Sequence, residues 1–154
     1  MSSESARISD QLRRALAGDP WHGTPCRELL SGITADRALA HPLPRAHSIW
    51  ELVLHMDAWT SAACDTAMGA PMAKLFRTGK DWPVPADTGV AAWQGAVGHF
   101  LLVGERLAEA IAQFPDSRLQ EIVPGRKYNF YFLFHGIVQH NIYHAGQIAM
   151  LRKV

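Results

Sequence analysis

The sequence predicts an all-α domain, a four-helix bundle with a long crossover connection. Three observations lead there. Apolar residues recur three and four apart along four long segments, the period of an amphipathic helix. Only one short stretch has any strand character. Proline- and glycine-rich breaks separate the long segments, and the break at residues 71–87 is far longer than a tight helix–helix turn. The chain has 154 residues, enough for one domain spanning 1–154 with a core of its own. A composition of 48% hydrophobic and 19% charged residues argues against disorder.

The first helix carries Ile8, Leu12, Ala15 and Leu16 on one face and Gln11, Arg13 and Arg14 on the other, until Gly18-Asp19-Pro20 interrupts it. A short helix follows, with Thr24 as N-cap, Pro25 at the first helical position and Gly32 closing it. Thr34 to Arg37 begins another short turn, and Pro42 and Pro44 make residues 41–46 an irregular connection. Ser48 and Glu51 form a capping box, opening a second long helix to about Met68 with Leu52, His55, Met56, Trp59 and Ala63 on one stripe. Gly69-Ala70-Pro71 ends it. Thr88 is expected to cap a third long helix, which carries Val90, Trp93, Val97, Leu101, Leu107 and Ile111 in register and stops at Pro115-Asp116. Residues 118–126 hold a strand-like stretch (Leu119, Ile122, Val123) bounded by Pro124-Gly125. The last helix runs from near Asn129 to about Lys153.

Charge excludes some function classes. Fifteen Lys and Arg against fourteen Asp and Glu leave a net charge of +1, with no basic stripe to follow a nucleic-acid backbone or an anionic membrane. The longest apolar runs, such as residues 100–103 and 130–134, are too short to span a bilayer, and the polar stretch Met1 to Gln11 lacks the apolar region of a secretory signal. Cys26 and Cys64 are far apart and lack metal-binding spacing, as expected of a reduced pair in a cytoplasmic protein.

The unusual feature is histidine, eight residues in so short a chain. His140 and His144 are four apart on the last helix, so both imidazoles project from one face, the spacing by which two rings share one metal ion. No Glu follows His140, so the zinc-protease motif with its built-in general base is absent. His55 lies on the apolar stripe of the second long helix. It is either a core histidine bonded to a backbone carbonyl or a third ligand facing His140 and His144 across the bundle. No Glu-x-x-His sequence occurs, which argues against a di-iron centre. His135, five residues before His140, is rotated by about 140° and can only edge a pocket or contact the start of the helix. His22, beside Trp21, either lines the same pocket or lies in a loop; His41, His47 and His99 read as structural or exposed. Gln147, one turn beyond the histidine pair, is placed to bond a substrate or a neighbouring helix. Glu51 is the carboxylate best placed to support His55 or to act as a base, although its capping role is the stronger reading. Phe130, Tyr131, Phe132 and Phe134 are expected to build core or a dimer face.

The run Ser48-Ile49-Trp50-Glu51-Leu52-Val53-Leu54-His55-Met56, followed by His135 to Ile148 with its His140-x-x-x-His144 pair, resembles the DinB/YfiT-like superfamily. Trp21-His22-Gly23 after the first helix is similar to its N-terminal pattern. The resemblance covers nearly the whole chain and implies a four-helix bundle in which His55, His140 and His144 hold one divalent ion, usually zinc or nickel. It further implies a homodimer and a small-molecule substrate. Among such proteins are transferases and isomerases that use low-molecular-weight thiols, and many others described only as metal-dependent hydrolases. Two readings stay open at this point: a metal-dependent S-transferase or hydrolase, and a non-catalytic metal- or small-molecule-binding stress protein. Because neutral imidazoles are the ligands, metal loss is expected below about pH 6.5.

Overall fold

The computed structural model describes residues 2–154. Seven helices form among them: α1 (Glu4–Ala17), α2 (Cys26–Leu30), α3 (Ala35–Leu39), α4 (Ile49–Ala67), α5 (Leu75–Thr78), α6 (Val90–Ala112) and α7 (Phe130–Leu151). The four long ones, α1, α4, α6 and α7, make an all-α bundle. Around the ring, α1 touches α6 and α7, and α4 touches the same two helices.

Cross-helix contacts fix the directions. Arg13 reaches Glu105 and Glu109 while Glu4 meets Asp116, so α1 and α6 are antiparallel. Trp50 packs on Trp93 and Asp57 meets His99, so α4 and α6 are parallel. His55 faces His144 while Trp59 faces His140, so α7 runs antiparallel to α4. Two parallel helices in succession cannot be joined by a tight turn. The chain from Met68 to Gly89 must therefore travel back along the bundle, and this is the long crossover.

Trp50, Phe100, Phe134, Leu12, Leu52, Met56, Leu107 and Ile148 fill the interior with almost no exposed area. Gly104 lets α1 and α6 approach closely, since a Cβ there would collide with Leu16 Cδ1. At α4 the Ser48 side chain accepts from Glu51 N while the Glu51 carboxylate accepts from Ser48 N, a complete capping box.

Several local expectations need correction. Thr24 does not cap α2; Pro25 takes the N-cap position in extended conformation, with no side-chain bond. Gly89, not Thr88, precedes α6, and the Asp87 carboxylate accepts from Gly89 N instead. The crossover contains the one-turn helix α5, which no periodicity over four residues could reveal. The stretch after α6 forms a 3-10 turn at Asp116–Arg118 and one isolated antiparallel bridge between Ile122 and Asn129. Pro124 and Gly125 turn the chain too soon for a strand to extend. Among the described residues no helix is long and apolar enough to cross a membrane.

Candidate metal centre

The capping box fixes where α4 begins and so which of its residues face α7. His55 lies on that face, buried, opposite His140 and His144. One ligand nitrogen from each ring lies within 4.8 Å of the other two. Nitrogens arranged tetrahedrally around one ion at 2.0–2.1 Å sit roughly 3.3 Å apart, so small side-chain rotations close the site.

Hydrogen bonds set the protonation of two rings. His55 Nδ1 donates to the Asp81 carbonyl, and His144 Nδ1 donates to Gln147 Oε1 at 2.6 Å. In neutral rings this leaves both Nε2 atoms as bare lone pairs. His140 Nε2 lies 3.0 Å from His55 Nε2, and His140 Nδ1 is buried without a partner. If His140 carries its proton on Nε2 and donates to His55, Nδ1 becomes a buried acceptor with no donor. If the proton sits on Nδ1, two lone pairs face one another. Protein groups alone therefore leave this cluster electrostatically incomplete, and a cation shared by the bare nitrogens would complete it. The donor set, three imidazoles, suits a borderline-soft divalent ion such as zinc or nickel.

The rings are also kept neutral. Burial pushes His140 down to about 4, helped by the neighbouring His144 and His55. Burial lowers His55 as well, against the pull of the Asp81 carbonyl, and it lowers His144 against the Gln147 hydrogen bond. Neutral imidazole is the form that binds metal.

A sequence model of the DinB superfamily matches residues 25–148, a segment that contains all three histidines. The chain belongs to the DinB superfamily. Neither the curated proteins nor the solved structures contain a match.

Of the other residues singled out by sequence, Gln147 reaches the cluster directly through His144. Glu51 does not: its carboxylate accepts from His41 Nε2 at 3.0 Å and His47 Nδ1 at 3.3 Å. Burial pushes Glu51 up, but the Ser48 N–H and the two histidines outweigh it and hold the carboxyl below its ordinary range. His135 is not at this pocket. It lies against Tyr131, 3.7 Å from Glu4, in a separate polar hollow of about 570 Å³ between α1 and the start of α7. The 140° offset on α7 turns it towards α1 instead of α4. Trp21 is fully exposed in the turn after α1 and packs on none of the three rings; His22 beside it is exposed too.

Sequence reasoning missed the crossover's contribution to this DinB site. The Trp82 ring stacks between His55 and His47, with centroids 3.8 and 3.6 Å away and planes within about 12°. His47, read from sequence as structural or exposed, thus touches the residue that covers His55. The only signal was a Trp in a proline-rich connection, where no period assigns a face. Beside His140, an apolar cavity of about 220 Å³ opens between α4, the crossover and α7.

Proposed function

We propose that this protein is a metal-dependent S-transferase, in which His55, His140 and His144 hold one zinc or nickel ion and a low-molecular-weight thiol is joined to a small electrophile. The convergence of three neutral imidazoles on one point carries this reading. An ion held there would supply Lewis acidity, bringing the pKa of a bound thiol towards neutrality. The chain's own residues orient the ligands: the Asp81 carbonyl fixes the His55 ring, Gln147 fixes the His144 ring, and Trp82 excludes water from one side of His55. In the transfer itself a sulfur–carbon bond forms, the leaving group departs with its electron pair, and the thiol proton passes to solvent.

The choice of transferase over hydrolase rests on what surrounds the cluster. Hydrolysis calls for a positioned general base, commonly a carboxylate. Among the described residues no carboxylate lies within ligand reach of all three histidines. The buried Asp81 meets His55 through its carbonyl and acts on it through its charge, and the adjacent cavity has no charged side chain. A thiol needs less help, because its pKa already lies near 8.5.

Metal analysis and a thiol panel test the proposal. The purified protein should carry about one divalent ion per chain, and His140→Ala should lose it. With zinc or nickel restored, a generic electrophile such as 1-chloro-2,4-dinitrobenzene should be consumed faster with one thiol of the panel than without protein. Equal metal content in both proteins defeats the site assignment. Turnover of esters or amides without any thiol defeats the transferase reading in favour of a hydrolase.

A further inference from the structure

We infer that the cavity beside His140 is the electrophile subsite, that it takes a neutral compound of about one substituted aromatic ring, and that Gly136 sets its size. The word electrophile rests on the S-transfer reading above; the selectivity for neutral single-ring compounds rests on the cavity alone.

The cavity is built from three directions. Trp59 contributes from α4, Met72 from the crossover, and Phe132, Gly136 and His140 from successive turns of one α7 face. His140 is thus both a member of the histidine cluster and part of the cavity wall. A molecule seated here lies beside the place where the nucleophile would be held. Trp59 meets the His140 ring edge-on, with centroids 6.3 Å apart, so the aromatic wall continues to the cluster.

Chemistry and volume select the ligand. No Asp, Glu, Lys or Arg lines the cavity, so in the metal-free protein a charged compound would lose its hydration without a side-chain partner. Trp59, Tyr128 and His140 are the lining residues whose side chains carry polar groups. An apolar cavity of about 150 Å³ holds benzene, so about 220 Å³ holds one ring with a short substituent. Drug-sized ligands need more than about 300 Å³. Phe132 stands at the rim, largely exposed, while Leu133 and Ile137 close the floor and are buried.

Gly136 is the position that keeps this space empty. A Cβ built there meets no atom within 4 Å, although residues on either side of it along the helix are packed. Leucine at 136 can therefore grow into the cavity without moving the backbone. Gly98, on the exposed side of α6, has equally open surroundings and serves as the control for replacing a helical glycine.

The test is calorimetric binding of chlorobenzene and of benzoate, the second being a ring of similar size bearing a charge. It uses the full chain, once stripped of metal by chelator and once loaded with zinc. Chlorobenzene should bind to wild type and Gly98→Leu in both metal states, and in the stripped protein benzoate should bind at least about tenfold more weakly. Gly136→Leu should weaken chlorobenzene at least about tenfold while its zinc content and unfolding midpoint match those of Gly98→Leu. Chlorobenzene binding that is absent from wild type, or unchanged in Gly136→Leu, overturns the inference, as does equal affinity for benzoate in the stripped protein. If no form of the protein takes up zinc yet Gly136→Leu still abolishes chlorobenzene binding, the subsite stands and the metal reading fails.

Discussion

Removing the Gln147 side-chain amide gives the sharpest test of how the cluster is held. Gln147 is exposed, yet its Oε1 accepts from Nδ1 of the buried His144 at 2.6 Å. That bond keeps the proton on Nδ1 and turns Nε2 towards His55 and His140. In Gln147→Leu the proton is free to move to Nε2 and the ring is free to turn. Loss of such an outer hydrogen bond typically weakens metal binding 10–100-fold, or about 1.4–2.8 kcal/mol. Because the substitution strips the acceptor from a buried His144 N–H, the metal-free fold should lose about 1 kcal/mol, a loss that Gln147→Glu should not share. Gln147→Glu, which keeps an acceptor at the same reach, should retain wild-type affinity or exceed it. Competition against a chromophoric zinc chelator near about pH 7.5 measures the affinities, and thermal melting of the stripped proteins measures the folds. Wild-type zinc affinity in Gln147→Leu would refute the reasoning. So would equal weakening in the leucine and glutamate variants, since the acceptor would then be irrelevant.

Two further outcomes follow from the same geometry. Free histidine titrates near 6.5, but the buried His140 does so only at about 4. Between those values the unfolded chain binds a proton that the folded chain does not, so stability falls as pH drops through this window. Urea unfolding of the metal-free protein at about pH 5 should therefore show a loss of order 2 kcal/mol relative to neutrality, most of it absent from His140→Ala. The same burial moves metal release lower than the free-imidazole value of about 6.5 suggests: content should persist near pH 6 and fall towards pH 4, and full release by pH 6 would contradict it. At the α1–α6 contact, Gly104→Ala should destabilise by about 1–2 kcal/mol as Leu16 is displaced from a packed core, while Gly98→Ala gains about 0.5–1 kcal/mol from helix propensity. Chemical denaturation separates the two, and an equal gain in both would show that the close approach is not tight.

The sequence by itself determined the four long helices, because each carries enough turns for its apolar period to stand out: Leu12 and Leu16 in α1, Leu52 and Met56 in α4, Leu107 and Ile111 in α6, Phe134 and Ile148 in α7. It also determined the α4 start, since the Ser48–Glu51 box is a local code, and the shared face of His140 and His144, since that follows from helix pitch alone. Elements without a period were illegible: α5 is one turn long, and nothing local distinguishes Gly89 from Thr88 as the residue before α6.

What surrounds the histidines depends on how distant helices pack. His55 and His140 are 85 residues apart, and their meeting depends on α4 and α7 packing antiparallel. Because α4 and α6 run parallel, the crossover has to return along the bundle, and that path lays Asp81 and Trp82 on His55. The same packing sends His135 towards α1, the helix-start alternative left open by its spacing, and leaves Trp21 in solvent. Helix pitch is a local property and can be read from neighbours in the chain. Which helix faces meet, and which loop covers them, is set by burial summed over the whole molecule.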